Sequence, residues 1–124
     1  MNILVVDDEI LIRRSLARAI TLKGHTCEEA EDGQRGLDLL RGQNFDAVIL
    51  DLIMPGKSGY DFIQESTVDI PIFIISAFSG PELSDDYLKS DARIKMVIKK
   101  PFDNLFAIVD QILNALPTNT KLRE

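Results

Sequence analysis

Short apolar, β-branched runs alternate with stretches of helical periodicity, and that alternation restricts what this chain can fold into. The first run, Ile3-Leu4-Val5-Val6, is apolar at every position, which suits a strand buried on both faces of a helix-covered parallel sheet. It stops at Asp7-Asp8-Glu9. Ile12, Leu16, Ala19 and Ile20 then recur at helical spacing, and Lys23-Gly24 closes that helix. Thr26 to Ala30 reads as a weaker strand, and Asp32-Gly33 turns into a short helix carrying Leu37, Leu39 and Leu40. Asp46 to Leu50 is a strand ending at Asp51, Leu52 to Ser58 a loop, and Gly59 to Glu65 a brief helix. Ile70 to Ile75 is the most apolar strand, with Pro71 near its start where a missing donor is tolerated. Pro81 opens a predicted helix to about Lys89, and Met96-Val97-Ile98 is the fifth strand. The last helix follows Pro101, with Leu105, Ile108, Val109, Ile112, Leu113 and Leu116 on one face, and Pro117 ends it. Strands alternating with helices in this way predict a single α/β domain over residues 1–116, a doubly wound parallel sheet of five strands. A polar tail follows at 117–124.

Composition narrows the function. The chain has 124 residues, the size of one domain, and 45% of them are hydrophobic, enough for a packed core. Fourteen Lys and Arg against twenty Asp and Glu give a net charge of −6, which opposes a phosphate backbone and argues against direct nucleic-acid binding. Part of that excess sits in residues 61–90, where six acids meet one lysine, a candidate partner surface. No apolar run is long enough for a membrane span, and Asp7-Asp8-Glu9 interrupts any signal-peptide pattern, so a soluble cytoplasmic domain is expected. Cys27 has no second cysteine to pair with, and His25 and Cys27 are too isolated to form a metal or nucleophile pair.

In an open α/β sheet, ligands bind outside the carboxyl ends of the strands. The residues just past those ends are Asp7, Asp8 and Glu9, then Asp51, then Ser76, then Lys99 and Lys100. Taken singly, each has an ordinary explanation: acids cap helices, an Asp precedes a turn, a lysine is solvated. Together they gather carboxylates that would repel unless a cation lay between them, and an all-oxygen set of this kind suits Mg²⁺.

Asp7-Asp8-Glu9, Asp51 with Met54-Pro55 and Gly59, Ser76-Ala77, and Lys100-Pro101-Phe102 resemble the receiver domain of two-component response regulators, in order and over nearly the whole chain. The resemblance implies a flavodoxin-like sheet with strand order 2-1-3-4-5. It implies that Asp51 accepts a phosphoryl group from a sensor histidine kinase or a histidine phosphotransfer protein. Asp8, Asp51 and the backbone carbonyl of Ile53 would hold Mg²⁺, with Asp7 acting through water. Lys100 would pair with a phosphoryl oxygen, Ser76 would report its arrival to an output partner, and the Lys100-Pro101 peptide would be cis. Lys99 is then the solvent lysine. Ile10, Leu11 and Ser15, off the inward stripe of the first helix, are candidates for docking the donor.

Several residues depart from that pattern. Val97 stands three before Lys100, where the family often has a rotating aromatic, and Arg93-Ile94 replaces the usual Gly-Ala before strand five. The segment from Asp51 to Ser76 is short, which predicts a clipped third helix, and the segment from Ser76 to Lys100 is slightly long. Ile53 and Phe78 are bulky and apolar where water would approach the phosphoryl group, so slow hydrolysis is expected. Gly56-Lys57-Ser58 is not a P-loop, because the glycine required five residues earlier is Asp51. An aspartyl phosphatase would place a second acid where Ile53 stands. A pseudo-receiver that signals without phosphate remains the alternative binding module.

Overall fold

In a parallel sheet covered on both faces every inner strand position must be apolar, and the central strands meet that condition. The computed structural model describes residues 1–77, 90–100 and 104–116. Five strands run β1 (Asn2–Val6), β2 (Thr26–Ala30), β3 (Ala47–Asp51), β4 (Ile72–Ser76) and β5 (Ile94–Lys99). They form one parallel sheet in the order β2-β1-β3-β4-β5, as the family resemblance implied. The described helices are α1 (Ile10–Leu22), α2 (Gly33–Gly42), α3 (Gly59–Glu65) and α4 (Leu105–Ala115). The helix predicted from Pro81 to Lys89, the Lys100-Pro101 peptide and the tail at 117–124 lie outside the described residues.

Alternation along each strand divides the core into two layers. Leu4, Val6, Val48, Leu50, Ile72 and Ile74 face α2 and α3. Ile3, Val5, Ile49, Phe73, Ile75 and Ile98 face α1 and α4. The stripe on α1 behaves as its spacing requires: Leu16, Ala19 and Ile20 are buried, while Ile10, Leu11 and Ser15 are exposed. Gly24 ends α1 with φ of 91°, the left-handed conformation that a residue without Cβ adopts freely.

Two strand boundaries differ from the sequence expectation. β4 starts at Ile72 rather than Ile70, since Pro71 has no N–H to give the ladder; its carbonyl accepts from Val48 N at 3.0 Å. β5 starts at Ile94, two residues early, with a register shift: Ile72 pairs with Ile94 but Phe73 with Met96. Lys95 is the extra residue, and this bulge turns Met96 and Ile98 toward the α1–α4 layer.

The clipped third helix is present, at seven residues. Ser58 and Asp61 close a reciprocal capping box at its start. Its other end is held from a distance, by the residue that replaces the family's small pair before β5. Arg93 donates to the carbonyls of Ile63 (2.8 Å) and Ser66 (3.1 Å), while both oxygens of Asp91 grip the same guanidinium at 2.7 and 3.0 Å. The adjacent guanidinium hydrogen bond holds the Asp91 carboxyl below its ordinary pKa. So short a helix has little stability of its own. Arg93→Ala is therefore expected to lower unfolding free energy by about 1–3 kcal/mol in urea melts. A change within error would show that the clasp contributes nothing.

Candidate functional site

The strand ends assemble the site through register. Val6 pairs with Leu50, so Asp7 and Asp51 come side by side one step further on, and both leave the sheet on the α1–α4 side. Asp51 pairs with Ile75, Ser76 with Lys99, and Lys100 N donates to Ser76 O at 2.8 Å, which brings Lys100 to the same rim. One oxygen each of Asp7, Asp8 and Asp51 lies within 4.8 Å of the others. Asp7 and Asp51 are buried and Asp8 is exposed, so the cluster opens to solvent at Asp8.

The turn after β1 is fixed from both directions. Asp7 N continues the ladder to Ala30 O at 3.1 Å, and Asp7 Oδ1 accepts from Glu9 N at 2.9 Å, a turn contact two residues on that leaves the first-turn amides of α1 uncapped by side chains among the described residues. Arg13 donates to the Asp7 carbonyl at 2.9 Å and pairs with Glu29 at 3.1 Å. Sequence spacing marked Arg13 only as a polar residue between apolar ones; a partner contributed by another strand leaves no trace in helical periodicity.

One ammonium serves three acids. Lys100 Nζ lies 2.5 Å from Glu9 Oε1, 3.0 Å from Asp7 Oδ2 and 3.4 Å from Asp51 Oδ2. Asp7 Oδ2 is enclosed and makes no hydrogen bond of good geometry, only the ionic contact with Lys100. Burial first, and then the neighbouring Asp7 charge, push the Asp51 carboxyl up to about 7, while Lys100 and the Ile53 N–H (3.4 Å) pull the other way. Burial alone would lower the Lys100 pKa, but the hydrogen bond to Glu9, the close ionic contact with Asp7 and the charge of Asp51 together raise it. A rim with four carboxylates, one ammonium and a buried oxygen lacking a proper donor is undercompensated in positive charge. Hard oxygen donors in that state fit a small divalent cation.

Each residue expected at the rim has a defined place. Asp7, Asp8, Asp51 and Lys100 come together, and Glu9 joins them. Ser76 is fully buried at the end of β4, and pleat alternation from Ile75 sends its side chain toward the α2–α3 side. Ile53 is 54% exposed beside Asp51, and Val97 and Lys99 are exposed on β5. Phe78 lies outside the described residues. Cys27, half-buried, has its thiol pushed up to about 12 by burial and by Glu29 and Glu28, and so is unreactive.

A doubly wound parallel sheet with a carboxylate cluster and a lysine at its carboxyl rim has the donor set of a protein that handles a divalent cation and a phosphoryl group. Residues 3–112 match the model of the response regulator receiver domain, and the chain belongs to that family of two-component signalling proteins. Response regulator MprA of Mycolicibacterium vanbaalenii is 34% identical over 105 residues, covering 82% of this chain and 45% of that protein. The chain thus spans about half the length of the curated relatives it matches. Among solved structures, the chemotaxis protein CheY4 of Vibrio cholerae superposes with a TM-score of 0.79 at 27% identity, over 93% of this chain and 98% of that one. The response regulator TrrA of Thermotoga maritima, in complex with Mg²⁺ and a beryllium fluoride, superposes with a TM-score of 0.75 at 30% identity, again over 93% and 98%. Receiver domains of this family are signalling modules, not turnover enzymes. Among the described residues, no helix is long and apolar enough to cross a membrane.

Proposed function

We propose that this domain catalyses its own phosphorylation on Asp51 and acts as the phosphate-operated switch of a two-component pathway. The observation that carries the reading is the buried Asp51 carboxylate set among Asp7, Asp8 and Lys100. An Asp51 oxygen attacks phosphorus, a new O–P bond forms, and the donor's P–N or P–O bond breaks to release histidine or acetate. Asp8, Asp51 and the carbonyl of Ile53 would hold Mg²⁺, with Asp7 behind them through water; the ion supplies positive charge to the transferring phosphoryl oxygens. Lys100, whose ammonium lies 3.4 Å from Asp51 Oδ2, would supply a second positive charge. Ser76, at the end of β4, would turn toward the phosphoryl group and carry the signal into the segment that follows.

The experiment is Mg²⁺-dependent labelling by acetyl phosphate, followed by intact mass. One phosphate retained per chain, lost on chelation, supports the switch. No labelling would support the phosphate-independent module, and turnover of added phosphomonoesters would support a phosphatase. Ile53 disfavours that last reading, since an isoleucine cannot act as general acid or base.

Ile53 also bears on lifetime. Its side chain, 54% exposed two residues after Asp51, is apolar and has no group that could orient an attacking water. Ile53→Asn should shorten the life of the Asp51 phosphate by about tenfold, the order contributed by one positioned polar group. Equal decay in the two proteins would remove Ile53 from the explanation.

A histidine kinase or phosphotransfer protein is the proposed donor, and the net charge of −6 favours protein partners over nucleic acid for this domain. Leu11, 79% exposed on the first turns of α1, and Ile10 beside it form an apolar step next to the site. Leu11→Asp should slow transfer from a phosphohistidine protein about tenfold while sparing acetyl phosphate. Equal loss with both donors would reject a docking role.

A further inference from the structure

Glu9 occupies the N-cap position of α1, where an acid ordinarily accepts from an amide of the first turn. Its side chain makes no such bond. Its backbone is already committed, since its N–H donates to Asp7 Oδ1 and its carbonyl accepts from Arg13 N at 2.9 Å. The carboxylate instead crosses to Lys100, 91 residues on, at 2.5 Å, the shortest of the three contacts that ammonium makes. The two partners differ in their surroundings. Glu9 is 57% exposed and can return to water, whereas the Lys100 side chain is 5% exposed and, among the described residues, is held by the acids of the rim. Lys100 is also pinned at its backbone by Ser76 O, so only its side chain can swing.

We propose that Glu9 is a positioning residue that holds the Lys100 ammonium between phosphorylation events and surrenders it to the incoming phosphoryl group. This rests on the reading of Asp51 as phosphoacceptor. The exchange moves no proton: Lys100 stays an ammonium, and one anionic oxygen replaces another. The buried partner, Asp7, keeps its contact, while the exposed partner leaves at little cost because a solvated ion pair is weak. Glu9 therefore competes with the phosphodonor for one N–H of Lys100, and it adds a negative charge at the mouth that an anionic donor must enter.

The test compares wild type, Glu9→Gln and, as a charge control, Glu28→Gln on the exposed edge of β2. The Lys100 ammonium is first observed by ¹⁵N NMR without metal or donor. Its protons should exchange slowly in wild type and in Glu28→Gln, and faster in Glu9→Gln. The second-order rate of labelling by acetyl phosphate at saturating Mg²⁺ should then rise about two- to fivefold in Glu9→Gln only. Mg²⁺ affinity, titrated separately, should stay within about twofold. Unchanged Lys100 exchange, unchanged or slower labelling, weaker Mg²⁺ binding, or an equal gain in Glu28→Gln would each overturn the proposal. A wild-type chain that takes no phosphate would instead remove the phosphoacceptor reading, and the ammonium measurement would still decide whether Glu9 holds Lys100.

Discussion

Asp51→Asn should stabilise the fold at pH 8 by about 2–4 kcal/mol while abolishing labelling by acetyl phosphate. The stabilisation comes from a burial cost that the carboxylate bears. Asp51 is buried beside the equally buried Asp7, and one ammonium is shared among three acids. Burial and the Asp7 charge raise its pKa from 3.8 to about 7 in the folded chain. Between those two values the unfolded chain gives up the proton and the folded chain keeps it, so the folded state binds more protons. Stability from this group is full below about pH 4, falls as pH rises through the window, and is gone above about pH 7. The amide has nothing to ionise, so the difference between variant and wild type should open over that window and stay level above it. Mg²⁺ should narrow the difference at pH 8 from the wild-type side, since a ligand that binds only the folded state stabilises it. Urea melts across pH 4–8, with and without the ion, measure all of this. A variant no more stable than wild type at pH 8 would contradict the account of a buried, undercompensated charge.

The part of this site legible in the sequence was the part fixed by strand ends. Ile3 to Val6 and Ala47 to Leu50 are unbroken apolar runs, so the first polar residue after each had to stand at the rim, and Asp7 and Asp51 do. Lys100 was legible for the same reason, and its adjacency to Pro101 separated it from Lys99, which is exposed. Strand order was not derivable from local pattern; it came from the family resemblance, and the sheet agrees with it. Contacts between residues distant in sequence were equally hidden. Arg93 looked like a departure from a small-residue pair, and only the short α3 in space shows why a long cationic side chain is useful there. Glu9 was grouped with its neighbours as one more acid, because nothing local shows that its carboxylate bypasses the cap and reaches Lys100.

Phe62→Ala should cost about 3–5 kcal/mol of stability and weaken Mg²⁺ binding as well. Phe62 is fully buried in the middle of α3, a helix of seven residues that cannot persist without tertiary support. Its ring lies over α2 at Gly36, where a Cβ would come within 2.9 Å of Phe62 Cε2 and 3.0 Å of Val6 Cγ2. The missing side chain at Gly36 therefore admits the ring. The consequence extends to the rim through the loop between β3 and α3. Gly59 N donates to Leu52 O at 3.0 Å and Gly33 N to Lys57 O at 3.3 Å, so both ends of that loop take their positions from helices that Phe62 joins. Ile53, whose carbonyl is the proposed third ligand, lies within it. Calorimetric Mg²⁺ titration of Phe62→Ala under conditions where it is still folded should show affinity reduced several-fold. Phe62→Leu, which keeps most of the volume, should recover most of both losses. If Phe62→Ala lost stability but bound Mg²⁺ with wild-type affinity, α3 would support the core without positioning the loop.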